Sequence, residues 1–176
     1  MDWGYVPNDT HGTVGASMRY VPKLFIETTV FNFYFEGKQG QKQKDAIRLF
    51  EAIAKGKYEA YTSQEVIGEL KDASGEKFQK MNVLSEKYMK RLIAPSPEAK
   101  RIAGIYIEKG IIPIKFINDA IHIATATVNN LDFVISYNQG HIVKTKTMIG
   151  AALANLREGY SQIGLSTPTE VLLYDC

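Results

Sequence analysis

Four short apolar runs punctuate this chain, at residues 24–28, 58–62, 91–94 and 132–136, and helix-periodic stretches lie between them. Strands and helices that alternate in this way favour a parallel sheet with helices on both faces, joined by right-handed crossovers. Strands in such a sheet are buried on both sides, so they read as continuous apolar runs. Leu24-Phe25-Ile26 is the clearest case, and it runs straight into Glu27, Thr28 and Thr29. A carboxylate at the end of a buried strand is costly to leave unpaired. It makes better sense at the mouth of a ligand crevice, which in open α/β sheets lies beyond the carboxyl ends of the strands.

The intervening stretches carry helix signals. Asn32 is the expected cap of a short aromatic helix, 33–35, closed by Gly37. Ala46, Ile47, Leu49, Phe50 and Ile53 share a helical face that Gly56 ends. Thr62-Ser63-Gln64-Glu65 has the capping-box pattern, with Thr62 as cap, and Glu69 lies one turn beyond Glu65. A further helix is expected over 75–89. Ser96-Pro97 opens another that ends near Gly110. After Pro113, Asn118 or a neighbour caps a helix with Asp119, His122 and Ile123 on one side. The last helix of this set closes at Gly159. An edge strand is expected at 163–166, and Thr167-Pro168-Thr169-Glu170 is a second capping box before a short terminal helix.

The 176 residues suit one domain. Residues 1–17 are rich in Gly, Thr, Asn and Asp without an apolar period, so they are expected to be an extension or an added segment before a domain spanning 18–176. A net charge of +2 points to neither nucleic acid nor membrane by itself. The single cysteine, Cys176, rules out an intrachain disulfide and suits a reducing cytoplasm. No apolar run reaches membrane-spanning length, and the N-terminus lacks the basic and apolar regions of a secretory signal.

Four polar residues follow strand ends or lie on the helices beside them: Glu27, Glu69, Asp119 and Asn138. In a parallel sheet such positions gather at one edge. Three carboxylates brought together repel and raise one another's pKa unless cations neutralise them. An oxygen-only set without Cys suits Mg²⁺ or Mn²⁺. Such ions bind phosphate oxygens and activate water, so phosphodiester hydrolysis is the natural chemistry. Each residue also has a bland reading. Glu27 fits a strand-end ion pair, Glu69 a solvated helix face, Asp119 a helix-dipole contact and Asn138 a turn. His122 and His141 read as packed or hydrogen-bonded histidines, Ser136 as structural or at most a support behind the acids. Thr28 and Thr29 fit either orienting a carboxylate or ending the strand. Lys38, Lys42, Lys44, Lys144, Lys146 and Arg157 fit a solvated face better than a phosphate track, and Tyr34, Tyr61 and Tyr137 fit packing better than base stacking.

At these residues the chain resembles the PIN-domain family of nucleases. The motifs are Leu-Phe-Ile-Glu-Thr-Thr-Val at 24–30, Thr-Ser-Gln-Glu-Val-Ile-Gly-Glu-Leu at 62–70, Asn-Asp-Ala-Ile-His-Ile-Ala-Thr-Ala at 118–126 and Val-Ile-Ser-Tyr-Asn at 134–138. The resemblance implies a three-layer α/β/α sandwich around a four- to five-stranded parallel sheet. It implies a Mg²⁺- or Mn²⁺-dependent ribonuclease that uses a metal-activated water, with Glu27, Glu69, Asp119 and Asn138 as catalytic and metal residues. Many relatives are toxins paired with an antitoxin, often as homodimers, so RNA, an antitoxin and a second copy are the partners it implies. Glu27 and Asn138 stand where the family most often has Asp. These departures leave two rivals: a weakened binding module, and a phosphohydrolase with another substrate.

Overall fold

The computed structural model describes residues 20–37, 40–71 and 75–173. The proposed 1–17 segment and Cys176 therefore lie outside the described residues. The chain runs β1 (Lys23–Ile26), α1 (Thr28–Tyr34), α2 (Gln41–Ala54), β2 (Glu59–Ser63), α3 (Gln64–Leu70), α4 (Gly75–Tyr88), β3 (Arg91–Ile93) and α5 (Pro97–Glu108). A short 3₁₀ turn (Ile114–Phe116) leads into α6 (Ile117–Val128), followed by β4 (Phe133–Ile135), α7 (Thr145–Arg157), β5 (Gly164–Ser166) and α8 (Pro168–Leu173).

All strand pairings are parallel, in the order β3-β2-β1-β4-β5. This is the parallel α/β architecture expected from the alternating pattern. Leu24, Phe25, Ile26, Val134 and Ile135 are fully buried, which explains their unbroken apolar runs. Helices α1 to α4 contact one another and α2 packs on α8, while α5 packs on α6 and α7. These two groups cover the sheet as separate layers.

The strand order dictates where a site can form. From β1 the chain steps outward to β2 and β3, then returns past β1 to β4 and continues outward to β5. The direction reverses between β1 and β4. Segments leaving the carboxyl ends of these two neighbours diverge, which is where sheets of this kind place their ligand sites. Glu27 follows β1 directly, and 136–138 follow β4 directly.

Several helix starts differ from the expected ones. Thr28 and Thr29 begin α1 and do not end β1, and Asn32 lies inside that helix. The cap is Glu27, whose carboxylate accepts from Thr29 N–H. Ser63, not Thr62, caps α3 by accepting from Val66 N–H. Thr62 is buried and its hydroxyl donates to the Ile26 carbonyl at 2.8 Å, tying β2 to β1. α6 starts without a side-chain cap, so Asn118 has another use. The box at Thr167 forms as expected: Thr167 N–H donates to Glu170 at 2.7 Å, and Glu170 N–H to the Thr167 hydroxyl at 3.3 Å.

Candidate active site

Glu27 is 4% exposed, at the junction of β1 and α1. Burying a carboxylate there requires donors, and three converge on its Oε2: Thr29 N–H at 3.1 Å, Thr29 Oγ1 at 2.6 Å and Ser136 Oγ at 2.7 Å. Both hydroxyls also accept a backbone N–H from the segment leaving β4. Thr29 Oγ1 accepts from Tyr137 at 2.8 Å, and Ser136 Oγ from Asn138 at 2.9 Å. Glu27 is thus fastened across the β1–β4 junction.

Asn138 continues the network. Its Nδ2 donates to Asp119 Oδ2 at 3.1 Å, while its Oδ1 accepts from His141 N–H at 3.1 Å. The side chain therefore offers its NH₂ to the acids and its oxygen to the loop. In this arrangement Asn138 braces Asp119.

Glu69 lies near the end of α3. Its Oε2 accepts from Thr28 Oγ1, and its Oε1 accepts from Asn118 Nδ2 and His122 Nε2, both at 3.2 Å. Asn118, Asp119 and His122 all belong to α6. One helix start therefore brings Asp119 towards Asn138 and, through its neighbours, holds Glu69. Thr28 adjoins Glu27 in the chain. Hydrogen bonds join Glu27, Asn138 and Asp119, and the chain brings Glu69 beside them, through Thr28 next to Glu27 and through Asn118 and His122 next to Asp119.

The electrostatics agree. Burial raises the Asp119 carboxyl above its ordinary range, and the negative charges of Glu27 and Glu69 add to that, outweighing the opposite pull of His122 and His141. At Glu69 burial also works upward, but the hydrogen bond and charge of His122, with donors from Thr28 and Asn118, hold it below the usual carboxylate range. Burial disfavours a charged His122. The Glu69 hydrogen bond and the negative field of Glu69, Glu27 and Asp119 outweigh it, so this imidazole is raised.

Among the described residues, no three His, Cys, Asp or Glu side chains are drawn up as a ready-made ion cage. The donor set nevertheless fits a hard cation. Its acidic members offer only oxygen, they feel one another's charge, and Glu27 Oε1 and Asp119 Oδ1 accept no hydrogen bond from the described residues. A cation among these acids would relieve the charge that raises Asp119.

Three side chains that organise this site were read only as supporting, capping or packed and hydrogen-bonded residues: Ser136, Asn118 and His122. Their signal was position alone, close in sequence to Asp119 or Asn138. The tyrosines pack. Tyr34 lies edge-on to Phe35 and Phe50, and the hydroxyls of Tyr61 and Tyr137 bond Glu59 and the Lys42 carbonyl. Lys42 Nζ sits 4.8 Å from the Phe33 ring centre and 5.5 Å from that of Tyr137. Lys144 and Lys146 line a cavity of about 110 Å³ with His141. An apolar groove of about 390 Å³ between α1 and α4, bordered by Tyr34, Leu84 and Tyr88, contains none of the acids.

No family model matches the chain, and no curated protein matches it in sequence. Solved structures do match. A chain of the VapBC2 structure from Rickettsia felis, bound to a DNA fragment from its promoter, aligns with a TM-score of 0.53 and 15% identity over 82% of this chain and 98% of that one. VapC20 of Mycobacterium tuberculosis, described as a sarcin-ricin-loop-cleaving toxin, aligns with a TM-score of 0.50 and 14% identity over 67% of this chain and 92% of that one. The fold is PIN-like. The expected α/β class and parallel sheet stand on this likeness as well as on the observed strand order. Among the described residues, no helix is long and apolar enough to cross a membrane.

Proposed function

We propose that this chain is a Mg²⁺- or Mn²⁺-dependent endoribonuclease, with Glu27, Glu69 and Asp119 holding the ion and Asn138 bracing Asp119. The observation that carries the reading is the constellation itself: three acids from separate elements, tied together at the carboxyl edge where β1 and β4 diverge. A bound divalent ion lowers the pKa of a coordinated water and neutralises charge developing on the phosphoryl oxygens. The chain's own part is positional. Thr29 and Ser136 hold Glu27 by one oxygen, and its other oxygen accepts no hydrogen bond from the described residues. Thr28, Asn118 and His122 hold Glu69, and Asn138 holds Asp119. Ser136 and His122 are buried, with exposures of 0% and 1%, so neither serves as a nucleophile or base towards RNA.

The likeness to VapC20 and the VapBC2 assembly supports two finer assignments, a toxin role with an antitoxin protein as partner and RNA as substrate; the single cysteine suits a cytoplasmic setting. The test is Asp119→Asn, assayed for Mg²⁺- and Mn²⁺-dependent RNA cleavage. The expected loss is on the order of 10²-fold or more, the scale for removing one charge-stabilising group. Unchanged cleavage contradicts the assignment. A second reading, a binding module without turnover, draws on the NH₂ face that Asn138 turns to the acids. Calorimetry showing no Mn²⁺ binding, with no cleavage of RNA, DNA or nucleotides, would favour it.

A further inference from the structure

We infer that His122 is a positioning residue: its Nε2–H sets the orientation of the Glu69 carboxylate for ion binding. This rests on the ribonuclease reading above, in which Glu69 is an ion ligand. A carboxylate only accepts, so the 3.2 Å contact with Glu69 Oε1 places a proton on Nε2 in either charge state of the ring.

The rest of the environment gives no reason for an imidazole. The side chain is 1% exposed, and its ring lies 5.8 Å from that of Phe25 at a tilt of 37°. Its Nδ1 is buried and has no hydrogen-bond partner among the described residues. A buried polar atom left unsatisfied destabilises a fold, and a ring of similar shape without nitrogens would avoid that. A purely packing role therefore predicts Phe here. The one interaction that Phe cannot supply is the donation to Glu69, from a residue 53 positions away in sequence. Thr28 and Asn118 also donate to Glu69, but Asn118 is exposed. His122 is the donor whose position is locked on all sides. Groups that orient a ligating carboxylate have effects of about 10- to 100-fold on metal affinity.

The experiment compares wild type, His122→Phe and His122→Gln for Mn²⁺ binding by calorimetry and for Tm without metal. The expected result for His122→Phe is Mn²⁺ binding weakened about 10- to 100-fold in a chain that still folds and unfolds cooperatively without metal. His122→Gln, which keeps an N–H donor, recovers part of the affinity. Wild-type affinity in His122→Phe overturns the inference while leaving the ion site intact. A lowered metal-free Tm with unchanged affinity overturns it too, because that is the signature of a packing role. If wild type itself binds no Mn²⁺, the ribonuclease reading fails and this inference fails with it.

Discussion

Ser136→Ala is a sharp test of how the acids are held. The Ser136 hydroxyl is fully buried, donates to Glu27 Oε2 at 2.7 Å and accepts from Asn138 N–H at 2.9 Å. Removing it deletes one hydrogen bond to a charged group, roughly 1.5–3 kcal/mol, and leaves a backbone N–H without its acceptor, about 1–3 kcal/mol more. A water entering the space would offset part of this, so the expected loss is about 2–4 kcal/mol. Thr29→Val removes the parallel bridge, because Thr29 Oγ1 donates to the same Glu27 oxygen and accepts from Tyr137 N–H. The two hydroxyls share one acceptor, so their losses should not add. A double-mutant cycle by urea unfolding should give a coupling of about 0.5–3 kcal/mol. Both single variants should retain the wild-type m-value. Single losses below about 0.5 kcal/mol, the scale of inert surface changes, would refute the claim that Glu27 depends on this bridge.

Other consequences are more local. Gly164→Ala on β5 would place a Cβ 2.3 Å from the Phe133 ring, so it should destabilise by about 1–3 kcal/mol, measured by thermal or urea unfolding. Burial, opposed by hydrogen bonds with Thr127 and Asn155, pushes the Tyr106 hydroxyl from its ordinary 10 up to about 12. The folded chain therefore keeps this proton longer than the unfolded one. The resulting stability is fully present below pH 10 and is lost as pH rises towards about 12, amounting to about 2–3 kcal/mol. Tyr106→Phe should flatten part of that alkaline fall in pH-dependent unfolding curves.

Much of this arrangement was legible in the sequence because of where burial falls. β1 and β4 are covered on both faces, so Leu24-Phe25-Ile26 and Val134-Ile135 appear as unbroken apolar runs. Glu27, Glu69, Asp119 and Asn138 could be singled out because each follows a strand end or lies on a helix beside one. Choices between adjacent residues were not legible. Thr62 and Ser63 both have hydroxyls suited to capping, and only their environments separate them: Thr62 reaches back to the Ile26 carbonyl, leaving Ser63 for α3. Likewise Thr28 and Thr29 have strand-like side chains, yet Glu27 caps them into a helix. His122 was least legible of all. Its helix spacing describes a packed residue, and its partner Glu69 is brought near only by the folding of α3 against α6. The NH₂-first orientation of Asn138 is equally a tertiary fact, set by Asp119 on one side and the His141 N–H on the other.

The central claim is that Glu27, Glu69 and Asp119 serve one divalent ion. The most direct measurement is the anomalous scattering of crystals soaked in Mn²⁺. The account predicts a peak bounded by the carboxylates of those three residues, with ligand distances of about 2.0–2.3 Å as for other hard cations on oxygen. Well-diffracting crystals with Mn²⁺ bound elsewhere, and the three acids still held only by their protein donors, would contradict it.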